Sequence, residues 1–149
     1  EQALQESEEK LQLFIKYAPA SIVMFDREMR YLSASQRWVD DYRLESLESI
    51  IGRSHYEVFP DIPERWKQVH QRCLAGGIEQ CEEDLFEREN GEQQWIRWQV
   101  HPWYRSNGDI GGIILFSEDI TKRKQAEIAL QQLNIELEQR VLERTAELT

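Results

Sequence analysis

A chain of 149 residues has room for one domain and not two. Its formal charge of -10 argues against a nucleic-acid face, which needs a basic surface to neutralise phosphates; the 40% hydrophobic and 31% charged residues fit a globular domain with long exposed helix. No apolar run approaches the ~18 residues of a membrane span, and Cys73 and Cys81 are too few for a disulfide framework and lack the companions of a zinc site.

Both cysteines read as free thiols in a reducing cytosol, and no signal peptide opens the chain. The expected location is cytoplasmic. The first residues, Glu1-Gln2-Ala3-Leu4, lack an initiating Met, which predicts a piece of a longer protein.

Residues 1–17 read as a helix, with Leu4, Leu11, Phe14 and Ala18 along a narrow apolar stripe that Pro19 ends. Residues 21–26, Ser-Ile-Val-Met-Phe-Asp, read as a strand, apolar on both faces. A turn at Arg27-Glu28-Met29, without Gly, leads to a second strand at Arg30–Ser33. Residues 35–60 hold short helical pieces: Ser35 can cap one carrying Trp38, Val39 and Tyr42, and Gly52 and Pro60 bracket an apolar turn with Tyr56, Val58 and Phe59. Residues 63–75 form a better helix. Pro63 suits its first turn, Trp66, Val69, His70, Cys73 and Leu74 recur at helical spacing, and Gly76-Gly77 stops it.

Three strands come next, at about 79–88, 94–105 and 110–118, joined by the turn signals Asn90-Gly91 and Asn107-Gly108. Strands grouped in this way predict an antiparallel α+β sheet rather than βαβ units. Residues 121–149 read as one helix without Gly or Pro, roughly 40 Å long, capped by Thr121 or Asp119. Lys122-Arg123-Lys124, closely followed by Glu127, reads as its solvated start. Ala126, Leu130, Leu133 and Leu137 are spaced four-three-four; Val141 and Leu148 continue the stripe, and the step from 137 to 141 is a stutter. So narrow a stripe on so long a helix predicts a partner helix, most simply that of a second chain. The segments 126–132 and 1–6 share a vocabulary, which suggests similar modules strung together by helices.

In sequence, these pieces resemble a known family. Ala18-Pro19-Ala20-Ser21-Ile22-Val23-Met24-Phe25-Asp26 resembles the first strand of a PAS domain, and Ile51-Gly52-Arg53-Ser54 the glycine step before its short middle helix. The stretch Asn90 to Trp98 resembles the hairpin into its long strand, and Asp119-Ile120-Thr121 its terminal Asp-Ile-Thr motif. The likeness covers about residues 14–121. It implies an α+β PAS fold: a five-stranded antiparallel sheet, helices over one face and a pocket between them. It divides the chain into a linker helix (1–18), a PAS domain (19–121) and a coiled-coil-like signalling helix (122–149). The last, through Glu143-Arg144-Thr145-Ala146-Glu147-Leu148, resembles connectors in bacterial sensor histidine kinases.

Carried onto this chain, the resemblance tests three chemistries. Light-sensing PAS domains use a cysteine in the short middle helix; the matching residue here is His55, and Phe86, Ile96 and Ser117 stand where amides would face a flavin. The nucleophile is gone, so that photochemistry is excluded and flavin disfavoured. Oxygen-sensing PAS domains ligate haem with a histidine whose match is Trp66; His70, one turn later, is the sole stand-in, and haem is disfavoured. A small, partly apolar metabolite is the remaining ligand. The implied pocket residues are Val23, Phe25, Ser54, His55, Val58, Trp66, His70, Phe86, Ile96, Trp98, Leu115 and Ser117. Alternation sets Ile96, Trp98 and Val100 on one face and Trp95, Arg97 and Gln99 on the other. His101 reads as peripheral. Glu82, Glu83 and Asp84 alternate across a strand and are no catalytic pair, although Asp84 or Glu82 can point inward.

The chain carries no phosphate loop and no nucleophile elbow, so the expectation is a non-enzymatic sensor module without cofactor or metal. It is expected to homodimerise through Leu4, Leu11, Phe14, Leu130, Leu133, Leu137 and Val141. Asp119 and Thr121 would relay its signal to an effector in the same parent chain, such as a histidine kinase. A ligand-free dimerisation spacer and a haem gas sensor through His70 are the alternatives.

Overall fold

The computed structural model describes residues 2–148. In chain order they form α1 (Gln2–Lys16), β1 (Ser21–Asp26), β2 (Tyr31–Ala34), α2 (Gln36–Asp41), α3 (His55–Val58), α4 (Glu64–Leu74), β3 (Glu79–Glu87), β4 (Gln93–Tyr104), β5 (Ile110–Asp119) and α5 (Thr121–Leu148). The strands make one antiparallel sheet in the order β2-β1-β5-β4-β3. This is the α+β arrangement expected, with α1 before it and the long α5 after it.

Alternation along the strands selects the inner face. Val23 and Phe25 of β1 pair with Leu115 and Ile113 of β5, and all four are buried. Val100 pairs with Leu115 and continues the same face into β4. The helices α2, α3 and α4 cover it, contributing Trp38, Val39, Val69, Cys73 and Leu74 to the core. Ser35 caps α2 as its sequence predicts, accepting from the Trp38 amide at 3.3 Å. Pro63 sits at the cap of α4 rather than inside its first turn.

The turn between β1 and β2 lacks Gly, yet Met29 takes φ 60°. Asp26 explains how: its carboxylate accepts from the amides of Glu28 and Arg30, both at 2.9 Å, and holds the chain in the turn. The Met29 side chain is buried in return. The second strand begins one residue later than its sequence suggests, because Arg30 bridges singly to Ser54 instead of joining the ladder.

The register shifts in three places, at Met24/Phe25 between β1 and β2, at Cys81/Asp84 between β3 and β4, and at Trp103/Tyr104 between β4 and β5. In β3 the register slips: Cys81 pairs with Trp98 and Asp84 with Ile96, so two residues, Glu82 and Glu83, stand opposite one, Arg97. This bulge lets Glu82 and Glu83 both face solvent, where they pair with Arg97 at 3.2 Å and Lys124 at 2.8 Å, while Asp84 turns inward. On the outer face, the Trp103 ring lies on Gly111 and Gly112, and its Nε1 donates to the Phe25 carbonyl at 2.8 Å. A Cβ on Gly112 would collide with that same oxygen.

Among the described residues, no helix is long and apolar enough to cross a membrane. Beyond Lys124, every described residue of α5 is exposed.

Candidate functional site

Between the sheet and the helices lies a cavity of about 50 Å³. Its walls come from α2 (Trp38, Tyr42 at its end), α3 (His55, Phe59 just after), α4 (Trp66, Val69, His70), β3 with Arg88 beyond it, β4 (Ile96, Trp98, Val100) and β5 (Leu115, Ser117). Ile62 and Phe86 complete it. The lining is overwhelmingly aromatic and aliphatic, with a few polar groups at fixed places.

Asp84 organises one wall. Its carboxylate accepts from Trp66 Nε1 and Trp98 Nε1, both at 2.7 Å, and from Arg65. The two indoles therefore cannot swing, and Trp66 stacks on Phe86 with ring centroids 4.7 Å apart. A buried carboxylate is tolerable here because it is both paired and hydrogen-bonded.

The deep end holds two histidines, His55 and His70, with ring centroids 5.6 Å apart in an edge contact. His55 Nδ1 shares a hydrogen bond with the Tyr31 hydroxyl at 2.6 Å, and His70 Nδ1 one with the Tyr56 hydroxyl at 2.8 Å. Burial drives the His55 pKa well below its ordinary value, and the neighbouring His70 adds to that. Burial alone lowers His70 to about 4. Both rings are neutral at physiological pH. Burial likewise raises the Tyr31 phenol, so it stays protonated. Trp38 Nε1 is buried with no hydrogen-bond partner among the described residues.

At the opposite end, the Tyr42 hydroxyl and Ser117 Oγ share a hydrogen bond at 2.8 Å. Burial lifts the Tyr42 pKa to about 12, with the Ser117 bond opposing it. Arg88 closes this end. Its guanidinium lies over Phe86 at 4.6 Å and Phe59 at 5.4 Å, and its Nε donates to Gln94 Oε1 at 2.8 Å.

From Ser117 the chain runs directly into a clasp at the base of α5. Asp119 accepts from the Thr121 amide at 2.9 Å and from its hydroxyl, and Thr121 Oγ1 accepts from the Trp95 amide at 3.0 Å. The Ile120 amide donates to the Trp95 carbonyl at 2.8 Å. Lys124 reaches back to Glu83 and lies 4.9 Å over the Trp95 ring. Asp119 and Thr121 thus fix the helix to β4, and Lys124 ties it to β3, the two strands that wall the cavity.

His55, Trp66, His70, Phe86, Ile96, Trp98, Leu115 and Ser117 line the cavity. Four residues expected there do not. Val23 and Phe25 are wholly buried in the core beneath β1, Ser54 caps α3 by accepting from the Tyr56 amide, and Val58 packs against the core from α3. Sequence reasoning missed Trp38, Tyr42, Phe59, Ile62, Val69 and Arg88 as wall residues. Trp38 and Tyr42 stand four apart on a capped helix, a signal available in advance. Arg88 gave none, because an Arg before a turn reads as solvent-facing. His101 lies partly buried between Gln99 and Phe116, away from the cavity. Among the described residues, no group of three or more His, Cys, Asp or Glu could hold a metal ion.

A family profile described as the PAS fold matches residues 16–125 of this chain. The chain belongs to the PAS family. No curated protein matches it. Among solved structures, the PAS domain of a Colwellia psychrerythraea protein is similar at TM-score 0.62 and 20% identity, over 78% of this chain and 98% of that one. The PAS domain of Bordetella pertussis BvgS matches at TM-score 0.57 and 20% identity, over 86% and 97%. VqmA bound to DPO matches at TM-score 0.59 and 23% identity, over 75% of this chain and 57% of VqmA; Vibrio cholerae VqmA matches similarly. The chain thus spans little more than half the length of the VqmA structures it resembles. At these identities the likeness shows the fold alone. The PAS match ends just inside α5, so most of that helix lies outside it.

Proposed function

We propose that this PAS domain is a sensory module that takes a small molecule in its cavity and passes the consequence to α5. The observation that carries this reading is the short covalent path from cavity to clasp. Ser117 forms part of the wall and bonds Tyr42 across it, and the next residues, Asp119 and Thr121, hold the helix to Trp95. A ligand that displaced Tyr42 or Ser117 would strain that clasp directly. The volume, about 50 Å³, supports a small ligand over haem or flavin. Relatives of the same fold offer analogy: VqmA bound to DPO, a VqmA dimer, and a Burkholderia thailandensis LuxR-family PAS domain in complex with ethanol, the last at TM-score 0.51 and 16% identity.

Dimerisation through α5 is part of this reading. Leu130, Leu133, Leu137 and Val141 are all exposed on a helix with nothing of its own domain to cover them. A paired helix would carry rotation or register change to an effector in the parent chain, such as a histidine kinase. The module itself performs no catalysis.

The smallness of the cavity favours a second reading, a ligand-free spacer that dimerises and sets geometry. Native mass spectrometry of the purified chain separates the two by reporting stoichiometry and any retained ligand together. In the parent protein, Asp119→Ala and Thr121→Ala should each alter output while the domain remains folded by circular dichroism. Unchanged output in both would remove the clasp from the signal route.

A further inference from the structure

Besides Trp38 Nε1, unpartnered among the described residues, the cavity wall holds a charged group whose bonding is incomplete, the Arg88 fork. Its Nε is committed to Gln94 at 2.8 Å, and its Nη1 lies 3.5 Å from Asp61, a long contact for a charged pair. Its Nη2 makes no hydrogen bond to any described residue. Three rings hold the plane in place: Phe86 at 4.6 Å, Phe59 at 5.4 Å and Tyr42 at 5.9 Å. The side chain is 17% exposed, so this charge sits largely out of water and against apolar walls. Such a fork is preorganised for a planar anion, because a carboxylate can accept two parallel N–H bonds from it.

Resting on the ligand-sensing reading, we propose that the cavity binds a short-chain monocarboxylate, its carboxylate on Arg88 and its apolar tail among the aromatic walls. Three observations fix the class. The charge of Arg88 selects an anion and disfavours a cation. Of the carboxylates beside the wall, Asp84 is already saturated by two indoles and Arg65, and Asp61 meets Arg88 only through the long 3.5 Å contact, so the fork keeps donors for a ligand anion. The two deep histidines are neutral, so no second anionic group is invited at the far end and dicarboxylates are excluded. Size sets the chain length. A water needs about 10–15 Å³ of such space, so about 50 Å³ admits a body of roughly three to five non-hydrogen atoms. Propionate meets this description. So small a ligand can bind no tighter than about micromolar.

The test uses the purified 149-residue chain and two probes of equal shape, propionate and propionamide, at matched ionic strength. Binding is read by ligand-observed NMR and by tryptophan fluorescence, since Trp66 and Trp98 wall the site. Propionate should bind in the micromolar to low-millimolar range, and propionamide at least tenfold more weakly. Arg88→Gln should abolish that preference, and Arg88→Lys should retain part of it. Equal binding of the two probes by the native chain overturns the proposal, whether or not the Arg88 variants fold. If both probes fail while a screen of neutral metabolites raises Tm, the carboxylate assignment falls and the sensing reading stands. If nothing in either set binds, both fall.

Discussion

At the scale of single residues, Asp84 and the two deep histidines decide how the cavity behaves. Asp84→Asn keeps the shape, but both indoles donate to one oxygen and Arg65 to the other, so an amide that keeps its oxygen on the indoles turns its NH₂ toward the Arg65 guanidinium and loses the charge pair. We expect a loss of about 2 kcal/mol, read as a lower urea midpoint with an unchanged slope, or roughly 4–8 °C in Tm. His70 supplies a pH dependence. Its folded pKa is depressed to about 4 against an unfolded value near 6.5, so below that value the unfolded chain binds the extra proton. Stability is therefore unaffected by His70 above about pH 6.5 and falls as pH drops from there toward 4, by about 3 kcal/mol in all. His70→Phe should flatten that part of the stability-versus-pH curve relative to the native chain, leaving the Tyr56 hydroxyl to bond water. A parallel fall in both proteins would show that His55 and the carboxylates, and not His70, set the acid limit. The inward turn of Asp84 was legible as one of two options in the carboxylate run. Its grip on two tryptophans was not, since no local pattern says which indoles a carboxylate will reach across a sheet.

At the scale of elements, strands and helices were readable because the chain punctuates them plainly. Ser35, Gly76-Gly77, Asn90-Gly91 and Asn107-Gly108 mark boundaries with side-chain and backbone chemistry that acts locally. The β1–β2 turn was harder. Met29 occupies a conformation that its side chain does not favour, and the compensation comes from Asp26. Two of the misplaced cavity residues, Val23 and Phe25, share a cause: alternation says that they face inward, but not whether helices or empty space will meet them; Ser54 and Val58 sit instead at the cap and the end of the short α3. The pair Gly111-Gly112 also gave no signal, for its reason becomes visible only when Trp103 is laid over it. Gly112→Ala would push a methyl group into the Phe25 carbonyl, backbone against backbone, with no flexible side chain to yield. A destabilisation of about 3 kcal/mol is expected, and the circular dichroism melt should show it. A variant as stable as the native chain would mean that β1 and β5 can part without cost.

At the scale of the whole molecule, the contrast is between a packed sensor core and a rod without cover. Leu133→Glu combined with Leu137→Glu should leave the PAS domain's melt unchanged but convert a dimer to a monomer in light scattering at matched concentration, because charged residues in a helix seam oppose pairing. A native chain already monomeric at high concentration would sink that expectation. The bulge in β3 bears on the same question from the other side. β3 is an outermost strand, whose outer row of amides and carbonyls could recruit a foreign strand, although Arg65 already donates to the Leu85 carbonyl at 2.8 Å. One surplus residue kinks that row, and Glu82 and Glu83 plant negative charge on it. Lateral growth into aggregates is thereby discouraged, and self-association is steered away from the sheet margin.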